Sequence, residues 1–230
     1  MPSTALAAAT ATASRIILVH GTGHGGWCWY RVATLLRAAG HLVDAPDLAA
    51  SGADARRLRD VPTFDDYSRP LLDGAVRALP SGERAVLVGH SFGGMSVALA
   101  AETFPDKVAA AVFVAAFMPD YVNPRPHVID KLSPLIDWVD CVTNEEHAPP
   151  SILFGPEFMR WKLYQLSPEE DFTLARSLVW VSAFYVDDMR CRPPFSDSRW
   201  RREIAIADHM AMFSAPVELA GHLADDITNT

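Results

Sequence analysis

The sequence predicts a single α/β domain with a mostly parallel β-sheet and helices on both of its faces. Short, uniformly apolar runs alternate with segments whose apolar residues recur at helical spacing, which is typical of parallel strands covered on both faces. The chain has 230 residues, 50% of them hydrophobic, enough to bury one large core. Polar and glycine-rich stretches follow three of the apolar runs, at His20, Ser91 and Asp120. Such sheets bind ligands at the carboxyl ends of their strands.

The first half of the chain contains the clearest alternation. Predicted strands cover residues 15–20, 41–45, 85–88 and 108–117, and predicted helices cover 27–39, 64–79 and 95–103. Residues 121–188 differ, because prolines are frequent and strand-like runs vanish. We expect an aromatic-rich helical lid here, with helical segments at 157–166 and 168–181. A last strand at 203–207 and a closing helix at 216–227 complete the domain, which we expect to span residues 15–230.

Composition narrows the class of protein. A net charge of −8 and a pI near 5.4 argue against nucleic acid as a partner, and no apolar run approaches the eighteen residues of a membrane span. The three cysteines fit neither a zinc site nor a disulfide framework, so we expect a reducing, cytoplasmic compartment. Residues 1–14 are mostly Ala, Thr and Ser and lack the features of a signal peptide, so they predict a disordered tail.

The most informative motif is the nucleophile elbow at residues 89–93, GHSFG. A strand that turns abruptly into a helix holds its serine in a strained conformation, and flanking glycines let the backbone fold back closely. The pattern G-x-S-x-G also occurs by chance, as a buried turn that happens to contain serine. The apolar strand before it and the helix after it favour Ser91 as a hydrolase nucleophile.

The loop after the first strand provides a second component. Gly21 and Gly23 let its backbone approach the elbow, so the amides of Thr22 and Phe92 are the predicted oxyanion hole. The alternative, a dinucleotide-binding loop, fits poorly because the glycines do not follow G-x-G-x-x-G and no acidic residue follows at the next strand end.

The candidate general base is His209, which follows the last predicted strand in a loop. Serine needs a base to remove its proton, and in this arrangement the histidine comes last in the chain. His222 lies within the final helix and is expected at the surface. His90 adjoins the serine, and the geometry of an elbow points it away from the hydroxyl.

Five stretches together resemble the plant methylesterase and hydroxynitrile lyase family of α/β-hydrolases. They are HGTGHGGWCWY at 20–30, DLAASG at 47–52, GHSFGG at 89–94, AAFMPD at 115–120 and ADHMAM at 207–212. The resemblance implies an α/β-hydrolase fold, a cofactor-free and metal-free serine carboxylesterase, and small methyl-ester substrates such as methyl salicylate, methyl jasmonate or methyl indole-acetate. It also implies that Trp138 contacts the substrate. A homodimer is left open.

Within this family the sequence is similar to the esterases rather than the lyases. The lyases have threonine where Gly21 stands and lysine where Met210 stands. That lysine handles the charge of departing cyanide, so cyanohydrin cleavage is not expected.

The chain departs from the family near residue 200. Members carry a further strand there, whose following loop provides the catalytic aspartate, and residues 185–202 contain no apolar run long enough to form it. We therefore expect one late strand to be missing. Asp120 is the best candidate for a surrogate acid, because an acid can reach the imidazole from a neighbouring strand end. Weaker candidates are Asp187, Asp188, Asp197 and Asp208. The competing hypothesis is a catalytically impaired member that retains ligand binding at most.

Overall fold

A computed structural model of the chain describes residues 13–196, 201–204 and 209–228. The predicted tail therefore lies almost entirely outside the described residues, as do the candidate acids Asp197 and Asp208. No helix among the described residues is long and apolar enough to cross a membrane.

Five parallel strands form the central sheet, in the order β2-β1-β3-β4-β7, and a two-stranded antiparallel sheet lies in the lid. The strands are β1 (Arg15–Val19), β2 (Leu42–Asp44), β3 (Ala85–His90), β4 (Val108–Val114), β5 (Val142–Asn144), β6 (Ser151–Leu153) and β7 (Arg201–Ile204). The predicted parallel sheet is confirmed, and β3 lies at its centre.

The helices connect these strands and cover both faces of the sheet. They are α1 (Tyr30–Ala38), α2 (Phe64–Arg69), α3 (Gly93–Thr103), α4 (His127–Leu132), α5 (Pro156–Phe158), α6 (Glu169–Leu178), α7 (Val186–Arg190), α8 (Ala211–Ser214) and α9 (Pro216–Thr228).

Strand β1 shows how the sheet is buried on both sides. Ile17 and Val19 belong to the apolar cluster that contains residues of α2 and α3, whereas Ile16 and Leu18 belong to the cluster that contains residues of α1 and α9. All four side chains are fully buried. Because side chains alternate between the faces of a strand, an apolar run without polar interruptions is what a doubly covered strand requires.

Several predicted elements differ from the structure. The helix predicted at 157–166 consists of α5 and a π-helix over Met159–Leu163. The helix predicted at 64–79 ends as an α-helix at Arg69 and continues as a wider π-helix over Pro70–Val76, because Pro70 lacks an N–H and its ring crowds the preceding turn. The lid is not purely helical, since β5 and β6 pair within it; three-residue strands are too short to show a period. The last strand spans 201–204 rather than 203–207, and residues 205–207 lie outside the described residues.

The topology gathers the polar strand ends at one edge. Strand β1 pairs with β3, β3 with β4 and β4 with β7, all in parallel, so the segments that follow them leave the same edge of the sheet. His20, Ser91, the 115–120 segment and His209 follow these four strands in the chain.

Candidate active site

Ser91 occupies the strained turn that its motif predicts. It has φ of 52°, a left-handed conformation, at the junction of β3 and α3. Such a conformation costs a non-glycine residue about 1–3 kcal/mol and is found where the surrounding structure enforces it. The elbow is enforced by close packing: a Cβ on Gly93 would lie 2.4 Å from the His20 carbonyl oxygen. The Ser91 carbonyl accepts a hydrogen bond from Phe117 N at 2.9 Å, which ties the turn to the end of β4.

The loop after β1 presses directly against this serine. A Cβ on Gly21 would lie 2.7 Å from Ser91 Cβ and 3.2 Å from Ser91 Oγ. Gly21 therefore has no room for a side chain, and Thr22 follows it in a fully packed part of the loop, 3% exposed.

The two predicted oxyanion amides are both available as donors. Phe92 precedes the first residue of α3, so its N–H has no partner within the helix. Among the described residues, neither the Thr22 amide nor the Phe92 amide donates a hydrogen bond to another group. Their role as an oxyanion hole stays a prediction.

His209 and Ser91 line one cavity of about 440 Å³, the Ser91 cavity. Its other lining residues are apolar: Phe113, Ala115, Ala116, Phe117, Met118, Leu132, Leu135 and Ile136. No charged side chain lines it within the described part of the chain. The structure thus brings the predicted nucleophile and the predicted base together in an apolar site.

A contact that the sequence did not predict holds the base. The His90 Nε2–H donates to the backbone carbonyl of His209 at 2.7 Å, and the two rings lie 4.7 Å apart. Burial lowers the pKa of His90 well below its ordinary value, and the neighbouring His209 acts in the same direction. His90 is therefore neutral and donates from Nε2, which fixes its tautomer. Its position beside the serine in the motif was the one available signal.

No metal-binding group is found near these residues. Among the described residues, no three His, Cys, Asp or Glu side chains are grouped so that they could hold a metal ion.

Comparison with known proteins places this site in a family. Residues 14–216 match the model of the alpha/beta hydrolase fold. Methylesterase 7 of Arabidopsis thaliana is 41% identical over 247 residues, covering 92% of this chain and 95% of the relative. Salicylic acid-binding protein 2 of Nicotiana tabacum is 39% identical, and the alignment covers 91% of this chain and 95% of the relative. The crystal structure of polyneuridine aldehyde esterase aligns with a TM-score of 0.87 at 33% identity, over 94% of this chain and 100% of that one.

The chain belongs to the plant methylesterase family of α/β-hydrolases. By family it is a carboxylic ester hydrolase, as the resemblance of its motifs implied.

The alignment with Methylesterase 7 shows how the chain differs from this relative. Because 92% of 230 residues is about 212, about 35 of the 247 aligned positions of Methylesterase 7 have no counterpart here. The coverage gives the number of unmatched positions, and their place near residue 200 stays a prediction. In the described residues, β7 pairs directly with β4 and is the one strand between the lid and His209.

The proposed surrogate acid is engaged elsewhere. The Asp120 carboxylate accepts hydrogen bonds from Val122 N, Asn123 N and Asn123 Nδ2. These bonds to the charged form lower the pKa of Asp120 to about 2. Asp120 does not line the Ser91 cavity either. The carboxylate thus stabilises its own turn, which argues against the prediction that it orients His209.

The other described candidates are also used in local structure. Asp187 pairs with Arg190 at 2.9 Å. Asp188 accepts the Phe64 amide at 3.0 Å and lies 3.7 Å from Arg192. Since Asp197 and Asp208 lie outside the described residues, the acid is the component of the site that the structure leaves unassigned.

Trp138 does not line the Ser91 cavity. It stacks on Phe158 with ring centroids 5.4 Å apart and contacts the edge of Phe184 at 6.1 Å. Phe184 in turn packs on Phe92 and Phe117. Trp138 lines a separate cavity of about 560 Å³ in the lid. Substrate contact by Trp138 stays a prediction.

Proposed function

We propose that this chain hydrolyses methyl esters of small, apolar carboxylic acids, with methyl salicylate as a representative substrate. The observation that carries the proposal is the strained Ser91 facing the same apolar cavity as His209. A cavity of about 440 Å³ without charged lining residues suits a neutral ester better than the carboxylate that its hydrolysis releases. The names of the relatives, methylesterase and salicylic acid-binding protein, support the same substrate class.

In the proposed reaction, Ser91 Oγ attacks the ester carbonyl carbon while His209 accepts the hydroxyl proton. The negative charge that develops on the carbonyl oxygen is stabilised by the Thr22 and Phe92 amides. The bond to the methoxy oxygen then breaks, and the imidazolium returns its proton to give methanol. Water, deprotonated by His209, attacks the acyl carbon and releases the acid and free Ser91.

A second candidate function is binding without turnover. It is favoured by the engagement of Asp120 in its own turn and by the shortfall of about 35 aligned positions. Without a carboxylate to orient the imidazole, a triad loses about 10⁴ in kcat but keeps a measurable rate. Such a chain would function by binding the ester in the Ser91 cavity, with at most a residual rate of hydrolysis.

The test is hydrolysis of 4-nitrophenyl acetate and methyl salicylate by the purified chain and by Ser91→Ala, after both show a cooperative thermal melt. Turnover that disappears in Ser91→Ala supports the esterase. Equal rates for two folded proteins would reject it in favour of binding alone.

A further inference from the structure

The loop that carries the Thr22 amide is held by three successive carbonyl groups. The Gly21 carbonyl accepts from His20 Nδ1 at 2.8 Å and from the His24 amide at 3.3 Å. The Thr22 carbonyl accepts from His24 Nδ1 at 2.9 Å. The Gly23 carbonyl accepts from Trp180 N, in the lid, at 3.0 Å. Because a peptide group is planar and trans, fixing the Gly21 carbonyl also fixes the direction of the Thr22 N–H.

His24 contacts the Gly21 carbonyl through its backbone amide and the Thr22 carbonyl through its ring, and the ring extends the network into the lid. Its Nε2 lies 2.7 Å from the hydroxyl of Tyr164, and both side chains are buried, His24 at 3% and Tyr164 at 0% exposure. Tyr164 directly follows the π-helix Met159–Leu163. One side chain therefore joins the oxyanion loop to a lid segment 140 residues away.

The hydrogen bonds assign the tautomer of His24. A carbonyl oxygen only accepts, so Nδ1 carries the proton that binds Thr22. Burial lowers the pKa of His24 to about 4, so the ring is neutral at pH 7 and Nε2 accepts from the Tyr164 hydroxyl. The Thr22 carbonyl thereby selects the tautomer, and Tyr164 donates to the nitrogen that this tautomer leaves unprotonated.

Aromatic packing surrounds this link. Trp27 and Tyr164 lie on the His24 ring at 5.5 and 6.0 Å, and Phe213 stacks on Tyr164 at 5.6 Å. Phe213 belongs to α8, which begins two residues after His209. The same buried cluster therefore contacts the oxyanion loop, the lid and the helix next to the candidate base.

We propose that His24 and Tyr164 are positioning residues that couple the lid to the oxyanion amide of Thr22. The role of that amide rests on the proposed esterase function; the coupling between lid and loop is a property of the fold and is measured separately. Neither side chain lines the Ser91 cavity.

Two substitutions break the link without opening a large cavity. Tyr164→Phe removes only the hydroxyl, and His24→Asn keeps a donor near the position of Nδ1 but is too short to reach Tyr164. Tyr185→Phe is the matched control, because Tyr185 is a buried lid tyrosine whose hydroxyl has no partner among the described residues.

The first readout is kinetic. We expect Tyr164→Phe and His24→Asn each to lower kcat for 4-nitrophenyl acetate about tenfold with KM within about twofold, since misplacing a catalytic donor affects the transition state. The double variant should lose little more than either single variant, because both substitutions remove the same link.

A trifluoromethyl ketone, which forms an oxyanion adduct, should inhibit both single variants more weakly than the wild type, with salicylate binding unchanged. Tyr185→Phe should match the wild type.

The second readout does not need activity. Hydrogen exchange of the 21–26 amides should accelerate in Tyr164→Phe and His24→Asn but not in Tyr185→Phe, and ¹⁵N NMR should find His24 Nε2 unprotonated. If the wild type shows no Ser91-dependent turnover, the proposed function fails while exchange still decides the coupling. Wild-type exchange in both variants, or a proton on Nε2 at pH 7, would overturn the inference.

Discussion

The two parts of the candidate site differ in how they are built. Residues 15–117 contain the elbow and the oxyanion loop, and their strands β1, β3 and β4 pair in parallel with continuous registers apart from one shift at Ala85/Val86. After the lid, one described strand leads to His209. The candidate acids before and within the lid, which are Asp120, Asp187 and Asp188, each stabilise local structure. A short motif specifies the elbow, and its packing against the loop after β1 enforces the strain of Ser91. The acid of a triad depends on a distant strand, so one deletion can remove it and leave the nucleophile intact.

Inserting the segment that we predict to be absent should have the largest effect on the difference between these two parts. We expect insertion of the corresponding segment of Methylesterase 7 next to Trp200 to raise the Ser91-dependent kcat about 10⁴-fold, the usual effect of a triad acid. The control carries asparagine in place of each aspartate of the inserted loop. Equal rates for the two insertions would mean that this chain supplies an acid of its own.

The substitution Gly21→Ala tests whether the oxyanion loop constrains Ser91. Gly21→Ala places a methyl group 2.7 Å from Ser91 Cβ, so the serine or the loop must shift. A displacement of this kind should lower kcat about 10²-fold. Gly74→Ala, where an added Cβ meets nothing within 4 Å, is the matched substitution and should keep the wild-type rate. A fully active Gly21→Ala would show that the loop does not constrain the nucleophile.

The substitution Gly93→Ala tests the packing of the elbow through the free energy of unfolding instead of the reaction rate. A Cβ there would lie 2.4 Å from the His20 carbonyl oxygen and 2.6 Å from that of Val19. Forcing this overlap should lower the free energy of unfolding by about 1–3 kcal/mol, measured by urea denaturation. Gly221→Ala has open space within α9 and should instead raise it by up to about 1 kcal/mol. Similar values for the two variants would contradict the packing of the elbow.

The buried neutral state of His24 predicts a pH dependence of stability. Its pKa falls from 6.5 in the unfolded chain to about 4 in the fold, mainly through burial, so between these values the unfolded state binds the extra proton. Stability is then complete above pH 6.5 and is lost as the pH falls towards 4. On going from pH 7.5 to 5.5, wild type should lose about 1 kcal/mol more than His24→Asn. Parallel losses would show that His24 does not titrate in this way.

Sequence reasoning worked best where local pattern determines structure. The elbow and the strand ends follow from residues close together in the chain, and the lining of the Ser91 cavity by His209 follows from motif order. The contacts of His90 with the His209 carbonyl and of His24 with Tyr164 span 119 and 140 residues, and no local pattern indicates them. The lid hairpin was missed because three-residue strands have no measurable period.

The most direct test of the account is covalent labelling of Ser91. The purified, folded chain is treated with a fluorophosphonate probe and analysed by intact mass spectrometry beside Ser91→Ala. We predict one adduct, on Ser91, that is absent from the variant, because the elbow, the oxyanion amides and His209 together activate the hydroxyl. A folded chain that stays unlabelled would contradict the claim that Ser91 is an activated nucleophile.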